Sequence, residues 1–163
     1  MGSQWGSQAD FFGALNLNHA GAVHHNLHNA KIQRPDLSAN NIQPCEFIVI
    51  TDRQVLLKLS QTAVNGPFAK NASFCVVVVA RAEKYYIEDG SAATENVLLA
   101  VNDFGLSACW VAGDKKDYAD SVLKLLGVPA GYKLVSIIPV GISKGQSEVE
   151  KRVLKDVLHW EKF

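Results

Sequence analysis

The sequence has no excess charge of either sign and no long apolar run. Sixteen basic residues balance sixteen acidic ones, which argues against a nucleic acid or an anionic membrane as partner. The apolar run at residues 76–80 is far too short to span a membrane. The first ten residues lack the basic start and apolar core of a secretory signal, so we expect a cytoplasmic protein.

Cysteine is scarce, and its spacing excludes two kinds of site. Cys45, Cys75 and Cys109 are widely separated, odd in number and form no C-x-x-C pair. This pattern predicts neither a disulfide framework nor a zinc site. Cys75 and Cys109 lie in apolar stretches, so we expect both to be buried thiols, as in a reducing cytosol.

Histidine is concentrated near the start of the chain. If residues 9–32 form a helix, His24 and His28 share one face, which is a possible two-ligand metal arrangement. No carboxylate or thiol lies between Phe11 and Pro35 to complete such a site, so we favour solvated histidines. The four histidines concerned are His19, His24, His25 and His28.

The length predicts one domain, residues 1–163, with a flexible end at residues 1–8. β-Branched and apolar runs predict strands at residues 47–51, 72–81 and 133–140. Asp52 is predicted to cap a helix that continues to about Ala63, and a short helix is predicted at 118–127.

Residues 88–113 (EDGSAATENVLLAVNDFGLSACWVAG) predict a long helix, a glycine stop and an immediate strand. Acidic residues at the start suit the positive end of the helix dipole. Apolar residues wrap most of the way round, which predicts a buried helix in which Asn96 bonds to backbone or to a ligand. Gly105 is predicted to end the helix, and residues 107–112 to form a buried strand. On these features alone, a core helix feeding a core strand is the simpler interpretation.

The order D-G-x-A-A-x-x-N-x-L-L-A-x-x-x-x-G-L-x-x-C-W-V in this stretch resembles the central helix and following strand of the nitroreductase family. This is a family of FMN-dependent oxidoreductases, and the resemblance is to its short members. Ser38–Pro44 (SANNIQP) resembles the family's S-x-x-N-x-Q-P segment, although Leu37 and Cys45 stand where the family usually has Pro and Trp. The resemblance continues to residue 163 through I-I-P-V-G and K-R-x-L-x-D-V-x-H-x-E-x-F.

The resemblance implies an FMN site built from three segments. The first contacts the flavin partly across a subunit interface, the second lies against the ring through backbone groups, and the third helps to hold the phosphate. Without the resemblance, the first segment would be a turn that satisfies its own backbone, and the third a solvated basic pair. The implied cofactor-binding residues are Ser38, Ala39, Asn41 and Gln43, then Trp110, Val111, Ala112 and Gly113, then Lys151 and Arg152.

The resemblance fails before Ser38. The family normally begins with an Arg-rich R-R-S-x-R-x-F segment that grips the phosphate, whereas this chain has no arginine before Arg34. Because charge-assisted donors to phosphate are strong, their loss leaves a second hypothesis open. That hypothesis is a flavin-binding or apo structural dimer without turnover.

The implied fold is α+β, with helices flanking a mixed, mostly antiparallel sheet in three layers (α/β/α). The implied assembly is an intertwined homodimer whose tail, residues 150–163, docks on the partner subunit. Trp160 and Phe163 agree with this, since large aromatic side chains are costly to expose.

The implied activity is electron transfer from NAD(P)H through FMN to a nitroaromatic, a quinone or a similar acceptor. The cofactor carries this chemistry, so we assign no catalytic acid or base. A specialised branch, such as dehalogenation or flavin breakdown, would usually add a lid segment, and the sequence has no obvious one.

Overall fold

The computed structural model describes residues 38–143, 145 and 150–163. The helix expected within residues 9–32, the flexible end at 1–8 and the four clustered histidines lie outside the described residues.

Five strands and three α-helices make up the described part of the chain up to residue 143. The strands are β1 Cys45–Ile50, β2 Phe74–Arg81, β3 Ser107–Ala108, β4 Val111–Ala112 and β5 Tyr132–Gly141. The helices are α1 Arg53–Thr62, α2 Tyr86–Asp103 and α3 Ala119–Leu125. Short 3-10 helices span Ala39–Asn41, Pro67–Asn71 and Leu154–Asp156.

The strands form one sheet in the order β1-β2-β5-β3, and β4 also pairs with β5. Every pairing between these five strands is antiparallel. Residues of α1 and α3 pack on one face of the sheet, and residues of α2 pack on the other. The α+β fold with three layers that the sequence predicts is therefore confirmed.

The core follows the predicted apolar patterns. Strand β2 is buried on both faces, because Val77 and Val79 join the α1/α3 cluster while Val76 and Val78 join the α2 cluster. Asp52 caps α1 as predicted, since its carboxylate accepts hydrogen bonds from the N–H groups of residues 54 and 55 at 2.8 and 3.0 Å.

A β-bulge in β5 shapes the face of the sheet that carries α2. The register passes from Val78 opposite Ser136 to Val79 opposite Leu134, so Val135 has no partner of its own in β2. As a result Val135 and Ser136, although adjacent in sequence, both face α2.

Helix α2 lies unusually close to this bulge. A Cβ atom placed on Gly90 would be 2.6 Å from a methyl carbon of Val135, so only glycine permits the spacing. One turn later, the buried hydroxyl of Thr94 lies 2.7 Å from that of Ser136. Thr94 donates to the carbonyl of Gly90, so Ser136 is the donor between the two hydroxyls. The bulge therefore fixes both the distance and the position of α2.

The expectation that apolar burial extends most of the way round α2 is wrong. The helix is buried along one face and not all round: Leu99 is 49% exposed, and Asn96 is half-buried. The residues facing the sheet already fill the space there, and Leu99 points away from this chain's core.

The strand expected at residues 107–112 is divided into β3 and β4, with Cys109 and Trp110 between them. Cys109 is consequently exposed, which corrects its expected burial, whereas Cys75 is buried as expected. Burial raises the pKa of the Cys75 thiol to about 12, so this thiol is a poor nucleophile. None of the three cysteines is in a disulfide.

The substitution Gly90→Ala tests the spacing between α2 and the bulge. In an isolated helix, alanine is more favourable than glycine by about 1 kcal/mol. Overpacking against Val135 should outweigh this gain, so that the substitution destabilises the fold by ~1–3 kcal/mol. Val135→Ala should cost much less in the Gly90→Ala background than in the wild type, because it removes the two colliding methyl groups. Urea unfolding of the wild type, the two single variants and the double variant measures the free energy of coupling between the two positions. A Gly90→Ala variant more stable than the wild type would contradict the spacing.

Candidate functional site

Two of the three predicted site segments are directed toward the same end of the sheet. Cys45 at the start of β1 pairs with Ala80 near the end of β2, and Ala80 pairs with Lys133 near the start of β5. Ala112, the last residue of β4, pairs with Ser136. Ser136 lies midway along β5, so the residues that include β4 (110–113, the Trp110 turn) run from the middle of the sheet toward the end where the residues before β1 (38–44, the Ser38 loop) lie.

The Ser38 loop precedes β1 and has an unusual backbone. Asn40, Asn41 and Gln43 have φ angles of 55°, 56° and 53°, in the left-handed region. Asparagine tolerates this region better than most residues, but glutamine does not. Besides its backbone hydrogen bonds, the loop is closed by two that involve side chains: the Gln43 N–H donates to Ser38 Oγ at 2.9 Å, and Gln43 Nε2 donates to Asn41 Oδ1 at 3.0 Å.

Arg81, at the end of β2, holds the carbonyl side of the same loop. Its guanidinium group donates to the carbonyl oxygens of Ile42 and Gln43 at 2.8 and 3.3 Å. Its backbone N–H donates to the carbonyl of Pro44 at 3.0 Å. One residue of the sheet thus bonds three consecutive carbonyls of the loop.

The Trp110 turn is held against the bulge. The N–H of Gly113 donates to the carbonyl of Val135 at 3.0 Å, and a Cβ atom on Gly113 would be 2.5 Å from Cγ of Leu134. Val111 is buried, Trp110 is 39% exposed, and the Tyr118 hydroxyl donates to the carbonyl of Ala112. The turn therefore presents mainly backbone and the Trp110 ring outward.

The first turn of α2 joins the two segments. Asp89 Oδ1 accepts a hydrogen bond of 2.9 Å from the N–H of Ala39, in the Ser38 loop. The Tyr86 hydroxyl donates to Asp114 Oδ1, directly after the Trp110 turn, at 2.6 Å. That hydrogen bond, with partial burial and the nearby carboxylates, raises the pKa of Tyr86.

The chemistry of this end suits a planar heteroaromatic ligand. Asn41 and Gln43 are exposed and Ser38 is partly exposed, and together they offer neutral donors and acceptors. Such groups can match the alternating carbonyl and ring nitrogen atoms of a flavin. Within residues 38–143, 145 and 150–163, no group of three His, Cys, Asp or Glu side chains could hold a metal ion.

Lys151 and Arg152 are not part of this arrangement within the single chain. The guanidinium group of Arg152 donates to the carbonyl of Asp156 at 2.8 Å, inside the tail. Every residue from 150 to 163 is exposed. Their predicted role at a phosphate therefore depends on where the tail lies in an assembly.

Sequence reasoning missed the residues that hold the segments in place: Tyr86, Asp89, Asp114 and Arg81. Asp89 had a partial signal, because it belongs to the D-G-x-A-A motif, but it was interpreted only as suiting the helix dipole. Arg81 closes an apolar strand, and nothing in its spacing pointed to the loop.

Comparison with known proteins gives the family. The nitroreductase family pattern matches residues 60–142. A protein of Archaeoglobus fulgidus, provisionally named NADH dehydrogenase/NAD(P)H nitroreductase, is 35% identical over 136 residues, covering 77% of this chain and 78% of the relative. The chain belongs to the nitroreductase family. The resemblance drawn from the sequence is thereby confirmed.

Solved structures of nitroreductases and related proteins have the same fold. An FMN-dependent nitroreductase from Clostridium difficile is 28% identical with a TM-score of 0.70, covering 77% of this chain and 80% of its own. Iodotyrosine deiodinase, solved with FMN and 3-iodo-L-tyrosine, has a TM-score of 0.72 and covers 99% of this chain and 92% of its own. Its identity to this chain is 17%, so that likeness shows a shared fold alone.

The joint between Tyr86 and Asp114 can be tested by titration. Ionisation of Tyr86 removes the proton that it donates, so the bond is present below the raised pKa and is lost as the pH rises through it. Asp114→Asn should lower the pKa of Tyr86, because it removes both the charged acceptor and its repulsion of the phenolate. NMR of labelled tyrosine measures the shift, and Asp117→Asn, which removes the same charge three residues later, is the matched control. An unchanged pKa of Tyr86 in Asp114→Asn would contradict the hydrogen bond between the two side chains.

Proposed function

We propose that this nitroreductase-family protein is an oxidoreductase that binds FMN and takes electrons from NAD(P)H. The observation that carries the proposal is the pair of hydrogen bonds made by the first turn of α2. The Ser38 loop and the Trp110 turn, which the sequence resemblance assigns to one flavin, are tied to the same helical turn through Asp89 and Tyr86. The related C. difficile protein is named as FMN-dependent and the A. fulgidus relative as an NAD(P)H nitroreductase, which supports the same cofactor and donor.

The residues of this end have distinct roles in the proposal. Ser38, Asn41 and Gln43 hydrogen-bond the polar edge of the ring system, and Ala39 contributes backbone held by Asp89. Backbone groups of the Trp110 turn lie against the ring. When bound, FMN accepts a hydride and passes electrons to an acceptor; the chain orients the ring and shields it from water.

The assembly in the proposal is a homodimer. Leu99 on α2 is 49% exposed, and the tail exposes Leu154, Trp160 and Phe163 at 69%, 78% and 105%. A second copy would cover these side chains, since patches of this kind mark interfaces. Lys151 and Arg152 would reach the phosphate from the tail of the second subunit.

The proposal extends to the electron acceptor and to the location in the cell. A nitroaromatic, a quinone or a similar compound is the proposed acceptor. We place the protein in the cytoplasm, since none of its three cysteines is in a disulfide and disulfides are common in oxidising compartments. None of the helices described above is long and apolar enough to cross a membrane. The absence of arginine before Arg34 favours the structural dimer without turnover as the second candidate.

Absorbance and NAD(P)H consumption distinguish the two candidates. Protein reconstituted with FMN and freed of excess cofactor should be yellow, and it should oxidise NADH or NADPH when a nitroaromatic or a quinone is supplied. Free FMN at the same concentration is the control for reaction without protein. Yellow protein without turnover for any acceptor would favour the structural dimer, and failure to bind FMN would contradict the proposal.

Asn41→Ala and Arg152→Ala should separate the ring from the phosphate. Asn41→Ala should weaken the binding of FMN and of riboflavin alike by ~1–3 kcal/mol, which is the cost of leaving a polar partner unsatisfied. Arg152→Ala should weaken the binding of FMN but not that of riboflavin, because riboflavin lacks the phosphate. The difference in FMN affinity between wild type and variant should shrink with added salt. Fluorescence titration measures both, with Lys155→Ala as a control for tail charge. Equal losses for both ligands in Arg152→Ala would remove it from the phosphate site.

A further inference from the structure

The Ser38 loop has a strained backbone conformation at Gln43, two residues before β1. Gln43 has a φ angle of 53°, and glutamine, unlike asparagine with its shorter polar side chain, does not adopt the left-handed region readily. Residues held in such conformations persist only where their surroundings impose them, and they are frequent at ligand sites. The side-chain hydrogen bonds inside the loop hold the N–H and the amide of Gln43, so the carbonyl groups on this side of the loop depend on a contact from outside it.

Arg81 is placed to do this. Its guanidinium group donates to the carbonyl oxygens of Ile42 and Gln43, which precede and follow the Cα atom of Gln43. Its backbone N–H donates to the carbonyl oxygen of Pro44. Relaxation of Gln43 to negative φ would rotate the adjoining peptide groups away from the guanidinium group. Both carbonyls accept from the same nitrogen, Nη2, and the rigid planar guanidinium group fixes where its N–H groups point, whereas a lysine ammonium is a compact charge on a flexible stem.

We propose that Arg81 is a positioning residue for the cofactor, acting through the Ser38 loop and not by touching the cofactor. This inference rests on the proposed function, since it assigns to the loop the recognition of the flavin ring. Arg81 fixes the backbone from which Asn41 and Gln43 present their amides.

A direct electrostatic role makes a different prediction. If the charge of Arg81 attracted the phosphate, its loss would weaken FMN and leave riboflavin unchanged. A positioning role acts on the ring, which the two ligands share, so both should weaken equally. Lys133 lies at the same end of the sheet, opposite Ala80, and is exposed, so Lys133→Met removes a nearby charge as a matched control.

The experiment compares the wild type with Arg81→Met, Arg81→Lys and Lys133→Met, each checked by thermal melting. Arg81→Met should lose ~10-fold in affinity for both FMN and riboflavin, about the weight of a hydrogen bond from a charged donor. Arg81→Lys should recover part of this for both ligands, and Lys133→Met should leave riboflavin binding unchanged. If Arg81→Met does not fold, Arg81→Lys, which keeps the charge, carries the same comparison with a smaller loss.

A measurement without ligand tests the same inference. Amide exchange at Gln43, whose N–H bonds Ser38 Oγ, should accelerate in Arg81→Met, and its exchange in Lys133→Met should match the wild type. Unchanged exchange, unchanged riboflavin affinity, or a loss confined to FMN would each overturn the positioning role. Wild-type protein that binds neither flavin would instead overturn the proposed function, and with it the purpose assigned to Arg81.

Discussion

The extra residue in β5 is the constraint on which the candidate site depends. Because Val135 has no partner in β2, Val135 and Ser136 both face α2, and Gly90 lets the helix approach them closely. The same bulge accepts the N–H of Gly113 on the carbonyl of Val135. A single local irregularity of the sheet therefore sets the position of α2 and of the Trp110 turn together, as bulges near functional sites often do.

The first turn of α2 makes the hydrogen bonds that position both segments of the site relative to the helix. Asp89 holds the Ser38 loop by a backbone N–H, and Tyr86 holds the chain after the Trp110 turn by a carboxylate. The polar groups offered to a ligand lie on a loop, but the bonds that orient them come from a helix and from the end of β2. Support of this kind lets a short exposed segment keep one shape without a large core of its own.

The fold was largely predictable from the sequence, and the supports of the site were not. Strand β2 and the cap at Asp52 follow from local patterns, since burial on both faces and N-capping leave clear signals. The exposure of Leu99 and Cys109 was missed, because an apolar residue does not reveal whether its own chain or another covers it. The bonds of Arg81 and Asp89 join residues 38 to 50 positions apart, and no local spacing encodes such contacts.

Hydrogen exchange with and without FMN tests most directly the claim that the first turn of α2 brings both segments to one ligand. In the wild type, FMN should slow amide exchange in the Ser38 loop and in the Trp110 turn together. In Asp89→Ala, the loop should lose most of its FMN-dependent protection while the turn keeps more of it. Asp89→Asn, which retains an acceptor oxygen, should behave more like the wild type. Protection by FMN confined to one segment, or unaffected by Asp89→Ala, would contradict the account.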